Sequence, residues 1–154
     1  MAYWLLLAAL LVSPVSHALP FFAAVKAAVA VDPRPMVRWS SLNVGNSVGQ
    51  ADAHLLVFPG NRRYLIDAGE AGNGLLLREL RAQGATSVQK IFVTHAHRDH
   101  YGGIFSLIAA NYPIGEVYLN MPSKTVCDTE LPWGCNWVDI HRLLKVLADR
   151  KILV

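Results

Sequence analysis

Apolar and polar positions along the chain fall into two kinds of pattern. Residues 37–44, 54–58 and 64–66 are short runs rich in Val, Leu, Tyr and Ile, and they read as strands. A glycine-containing stretch connects the first two, and Pro59-Gly60-Asn61 supplies a turn between the second and third. Beyond them the period changes. Leu75, Leu76 and Leu80 recur at helical spacing with Arg78, Glu79 and Arg81 outward, and Gly84 closes that helix. Residues 90–94 read as a buried strand, 104–110 as a helix, and 116–119 as another strand. Asn136 caps a further helix, with Asp139 three residues in and Ile140, Leu143, Leu144 and Leu147 as its apolar stripe. Residues 152–154 look like the start of one more strand. Strands first, then strand–helix alternation, predicts a mixed α+β and α/β architecture.

The strand at 90–94 runs into Thr94-His95-Ala96-His97-Arg98-Asp99-His100-Tyr101-Gly102-Gly103. Three imidazoles and a carboxylate within six positions are donors that a borderline cation such as zinc accepts. If the chain stays extended past Thr94, His95, His97 and Asp99 share one side and Ala96 and Arg98 the other. His100 breaks the alternation and approaches from a different direction. Gly102 and Gly103 are expected to let the backbone turn tightly into the next helix. A histidine-rich polar turn without a metal is the bland alternative.

This motif resembles the H-x-H-x-D-H signature of the metallo-β-lactamase-fold hydrolases. Leu42-Asn43-Val44-Gly45, Asp52-Ala53, residues 55–59 and Tyr64-Leu65-Ile66-Asp67-Ala68-Gly69 resemble the opening hairpin of the same fold. In particular they are similar to the extracellular hydrolase-like domain of bacterial competence DNA-uptake channel proteins. The resemblance implies the N-terminal half of a four-layer αβ/βα sandwich, covered by a partial domain at residues 37–154. It implies that His95 and His97 serve one metal, and Asp99 and His100 a second, with two zinc ions in a complete site and manganese or iron as substitutes. Asp99 would also orient the attacking water. Asp67 would hydrogen-bond the ligand turn and fix its shape; the alternative is a turn aspartate ahead of Gly69. The family's remaining ligands, two histidines and a bridging aspartate, match nothing after Tyr101. His141 lies within an amphipathic helix, and His54 within a strand, so both read as structural.

Composition narrows the setting. Of 154 residues, 53% are apolar and 16% charged, which excludes a disordered chain. A net charge of +3 and a sequence pI near 9.0 help an anionic substrate approach, but are too small to predict nucleic-acid binding alone. No Asp, Glu, Lys or Arg occurs in residues 1–25. Residues 3–12 have the length of a signal-peptide core, and Ser16-His17-Ala18 offers a cleavage site, with Ala28-Val29-Ala30 a second. Export to the periplasm or outside the cell is therefore expected, with residues 1–18 removed and 19–36 as linker. A membrane anchor in residues 1–25 is the rival, although Pro14 and Pro20 interrupt it. Cys127 and Cys135 bracket a Pro- and Gly-containing loop, and an oxidising compartment favours a disulfide between them over metal ligation.

Two functional classes follow. The first is an exported metal-dependent hydrolase acting on a phosphodiester, with a small molecule or a nucleic acid as its partner; lactamase or thioesterase chemistry is open on the same fold. The second is a truncated, non-catalytic metal-binding product. Half a sandwich would expose an apolar sheet face and call for the other half or a partner chain.

Overall fold

The computed structural model describes residues 35–45, 50–72, 74–130 and 134–154. The residues expected to form a signal peptide with two candidate cleavage sites, most of the expected linker, residues 46–49 of the first connection, Asn73 and Leu131-Pro132-Trp133 lie outside the described residues. Among those described, no helix is long and apolar enough to cross a membrane.

Five strands form one sheet in the order β1 (Arg38–Ser41), β2 (His54–Phe58), β3 (Arg62–Ile66), β4 (Val88–Val93) and β5 (Ile114–Leu119). The first three pair antiparallel, with Trp39 opposite Leu56 and Leu56 opposite Tyr64. β3–β4 and β4–β5 pair parallel, with Ile66 beside Phe92 and Phe92 beside Tyr118. Parallel neighbours need a crossover. Helix α1 (Leu75–Ala82) makes the first, and the short α2 (Arg98–Tyr101) with α3 (Gly103–Ala109) makes the second. Helices α4 (Lys124–Glu130) and α5 (Trp137–Asp149) follow β5.

Alternation along the strands sets two unlike faces. Leu55, Leu65, Ile91 and Val117 point to one face and are 0–1% exposed. They join one core with Leu76 and Leu80 of α1, Ile104 and Leu107 of α3, and Ile140, Leu143 and Leu147 of α5. The other face carries a run of aromatic contacts, Phe58–Tyr64, Tyr64–Phe92 and Phe92–Tyr118, with ring centroids 4.8, 6.1 and 4.8 Å apart. Lys90 and Glu116 sit on this face, 3.1 Å apart.

The sequence-based elements recur with shifted ends. The first strand stops at Ser41, because Leu42 and Val44 leave the ladder for the core, where they are 6% and 1% exposed. Val44 packs on Gly69, where a Cβ would lie 2.8 Å from the valine Cβ. The third strand begins at Arg62, because Gly60 and Asn61, at φ 76° and 62°, reverse the chain at once. Asn136 caps α5 through its side chain, which accepts from the Asp139 N–H at 3.0 Å. The terminal strand reduces to a single parallel bridge between Glu116 and Leu153. Helix α4 was not expected from the apolar pattern; its start is marked by Ser123, whose hydroxyl accepts from the Val126 N–H at 3.2 Å.

Candidate functional site

The donor-rich turn sits at the carboxyl end of β4, the strand flanked by parallel neighbours, which is where open α/β sheets place their sites. Asp67 leaves the end of β3 beside it. The Asp67 N–H still donates to the Phe92 carbonyl at 2.8 Å, and its backbone then takes φ 58°. Aspartate is among the few non-glycine residues that tolerate this region.

That conformation accompanies a carboxylate only 3% exposed in an otherwise apolar wall. It accepts from the Thr94 N–H at 2.8 Å and from the Thr94 hydroxyl at 2.8 and 3.1 Å. Its Oδ2 also lies 2.9 Å from His100 Nδ1. A buried carboxylate is costly unless its oxygens are hydrogen-bonded, and here both are. One side chain thus grips both ends of the turn.

Extension does not persist to Asp99. His97 is the last extended residue, at φ −90° and ψ 146°, and Arg98 opens a helical turn closed by the Gly102 N–H on the Arg98 carbonyl at 2.7 Å. Asp99 therefore reaches the site from a helix and not by strand alternation with His95 and His97. Arg98 turns away from the histidines, onto Glu70 and Asp139, each 3.1 Å away.

Gly102 has an ordinary helical backbone, φ −58° and ψ −37°, and Gly103 lies inside α3. Neither glycine is needed for backbone freedom, contrary to the expectation from sequence. Their need is closeness. A Cβ on Gly103 would strike the Ala68 carbonyl, and one on Gly102 would strike the Ala71 nitrogen and the Arg98 carbonyl. The Ala68 N–H donates to the His100 carbonyl at 2.6 Å, and the Gly103 N–H to the Gly69 carbonyl at 2.9 Å. Two backbones cross here at contact distance.

The result is a clustered set of rings. His95 and His97 have centroids 4.4 Å apart, and His95 and His100 3.8 Å apart. His100 Nε2 lies 3.6 Å from Asp99 Oδ2 and 3.9 Å from Asp52 Oδ2. Asp52 is a further carboxylate that sequence reading placed only in the hairpin; nothing local to its own segment reveals this neighbour 48 positions later. Burial first, and then the neighbouring His100 and His97, hold the His95 imidazole below its ordinary pKa. Beside the rings a cleft of about 330 Å³ is lined by Thr94, His95, His97, Asn120, Pro122 and Cys135.

Imidazole and carboxylate suit zinc chemically, and a carboxylate on His100 Nδ1 leaves Nε2 as the outward nitrogen. Yet among the described residues no three His, Cys, Asp or Glu side chains form a group that could hold a metal ion. The donor types fit; the arrangement stops short of a closed site. Cys127 and Cys135 are joined in a disulfide. His141 is exposed with Nδ1 3.0 Å from the Trp137 carbonyl, and His54 packs edge-on against Trp39.

A mixed sheet with helical crossovers carries the histidine–aspartate turn at a strand end, an α/β architecture with its donor cluster at the carboxyl edge of the parallel strands. Residues 46–117 match the metallo-beta-lactamase superfamily model, and the mixed five-stranded sheet with its helices fits the N-terminal half of that fold. Among solved structures, a motif mutant of a metallo-beta-lactamase from Cronobacter sakazakii is 28% identical, with TM-score 0.41 over 64% of this chain and 37% of that one. A metallo-beta-lactamase from Hirschia baltica is 14% identical, with TM-score 0.37 over 65% and 45%. One from Pseudomonas aeruginosa, in a mono-zinc form, is 15% identical, with TM-score 0.37 over 70% and 47%. The chain thus spans less than half the length of each.

Proposed function

We propose that these residues carry the first part of the metal centre of an exported metal-dependent hydrolase that cleaves phosphodiesters. The observation that supports it most is the clamp of Asp67 on Thr94 and His100, which braces the turn that carries Asp99 and His100 and whose His95 and His97 line an open cleft. Metals bound to such donors, zinc first, acidify a coordinated water towards neutrality and polarise the substrate oxygen. His95 and His97 would hold one ion, and Asp99 and His100 another. Asp99 would also accept a hydrogen bond from the nucleophilic water and orient it. Asp67 would fix the tautomer of His100 by accepting from Nδ1–H, so that Nε2 is left free of that proton on the side of Asp99 and Asp52. The phosphodiester preference rests on the likeness of residues 42–69 to competence-protein domains and on the +3 charge. Export rests on the signal-like residues 1–18 and accords with the disulfide. The substrate-binding loops and remaining ligands would come from the other half of the fold or a partner chain.

A chain loaded with zinc or manganese should hydrolyse a chromogenic phosphodiester and lose that activity in His97→Ala. Activity that survives His97→Ala, or zinc binding unaffected by it, would sink the reading.

A second reading, a non-catalytic metal-binding unit, is favoured by one observation: no described trio of donors forms a closed site. Catalytic zinc ordinarily has three protein ligands, and fewer leave the ion weakly held. Elemental analysis separates the two, since two tightly held ions per chain exclude the second.

A further inference from the structure

We infer that the Cys127–Cys135 disulfide is a positioning element for His97, in addition to tying α4 to the segment that precedes α5. His97 and Cys135 pair as an isolated antiparallel bridge, outside every strand of the sheet. His97 is also the hinge of the donor turn, the last extended residue before α2. The backbone that holds this hinge from outside the turn is therefore itself held by a covalent bond to Cys127 on α4. Both cysteines are 1% exposed, so the anchor is buried while the turn it braces lines the cleft. A second tie runs in parallel. Asp139, in the first turn of α5, lies 3.1 Å from Arg98, the residue after His97. Residues 135–139 thus touch residues 97–98 at two successive positions, one through backbone and one through side chains.

A metal or substrate site tolerates about half an ångström of error in its side chains, so the bracing of a hinge residue matters more than its contribution to stability suggests. Asp67 grips Thr94 and His100, at the ends of the turn. Neither bond reaches His97. The disulfide segment supplies the support that Asp67 does not.

The test uses the full oxidised chain and the double variant Cys127→Ser/Cys135→Ser; both cysteines are replaced because a single free thiol beside His97 would itself be a metal ligand. Nuclear magnetic resonance should show the His97 amide and ring signals broadened or split in the double variant, with the signals of His141 and the β4 amides unchanged. Unchanged His97 signals alongside a lowered Tm would overturn the proposal and leave the bond as a plain staple. Asp139→Asn keeps the disulfide and removes the charge of the second tie; its His97 signals should stay sharp. If that variant alone reproduced the full broadening, the ion pair and not the disulfide would be the brace.

Should the double variant not fold, the wild-type chain decides. In sub-denaturing urea the His97 and Cys135 amides should open with the same urea dependence, and independent opening would refute the link. A zinc titration adds an arm that rests on the proposed function, with affinity expected to fall about tenfold or more in the double variant, or 1.4 kcal/mol at tenfold. Oxidised wild-type chain that bound no zinc would sink the functional reading, while the resonance measurements still judged the positioning one.

Discussion

Two segments meet at the mouth of the cleft, and they are held by opposite means. The turn 94–103 holds no cross-link of its own, and the Asp67 carboxylate and backbone bonds to Ala68 and Gly69 at contact distance secure its ends. In the described parts of the segment 123–138, Cys127 and Cys135 are buried while Val126 and Val138 are 47% and 76% exposed. Those described residues carry the disulfide and two capping side chains, Ser123 and Asn136. Close backbone crossing demands particular residues at particular positions, whereas a covalent tie lets the residues between vary. The first should therefore be brittle to single substitutions and the second tolerant of them.

Gly103→Ala gives the largest effect. Its new methyl group meets the Ala68 carbonyl, a backbone atom that cannot rotate away, and Leu76 lies beside it. The expected loss is about 4 kcal/mol or more, at the upper end for a single substitution. Thermal unfolding monitored by circular dichroism should show a chain that is unfolded or barely folded at 37 °C. A Tm within a few degrees of wild type would mean that the two backbones have slack, and the contrast would fail on its brittle side.

Asp67→Ala comes next. It strands the Thr94 N–H and the His100 ring, and it places alanine at φ 58°, where aspartate is better tolerated. A loss of roughly 3 kcal/mol is expected from denaturant unfolding, together with the largest chemical-shift changes at Thr94 and His100. Asn136→Ala, in the tolerant segment, removes one cap bond and should cost about 1 kcal/mol by the same measurement. If the cap variant lost more than the Asp67 variant, the comparison would be inverted.

How much of this was legible in the sequence follows the same division. The periods of 2 and 3.6 located every strand and three of the helices within a few residues, because alternating burial is a local property of the chain. The donor turn was legible as chemistry, since six adjacent positions carry its three imidazoles and one carboxylate. Its geometry was not. The bend at Arg98 follows from bonds between residues 97 and 100 and from a crossing with Ala68, some thirty positions away. For the same reason Gly102 and Gly103 read as flexible when they are in fact packed, and the pairing of His97 with Cys135 left no periodic trace. Helix α4 was hidden because most of its side chains face water, so no apolar stripe marked it.

The smallest expected effect concerns proton uptake in the brittle turn. Burial and the His100 and His97 rings hold His95 below its ordinary value near 6.5, so the neutral ring is favoured in the folded chain. As pH falls through the ordinary value, the unfolded chain binds a proton that folded His95 still refuses, and folding loses stability in that window. Below the folded pKa both states are protonated and the loss stops growing; above the ordinary value both are neutral and His95 contributes no pH dependence. In metal-free protein, the His95 Hε1 resonance should therefore titrate below the ordinary imidazole value near 6.5. Replacing His97 with Ala removes one of the two neighbouring rings and should move the His95 midpoint up. A midpoint at or above the ordinary value near 6.5, or one unmoved by His97→Ala, would show that the three rings do not share a common local field. The turn would then be clustered in space but not coupled in charge.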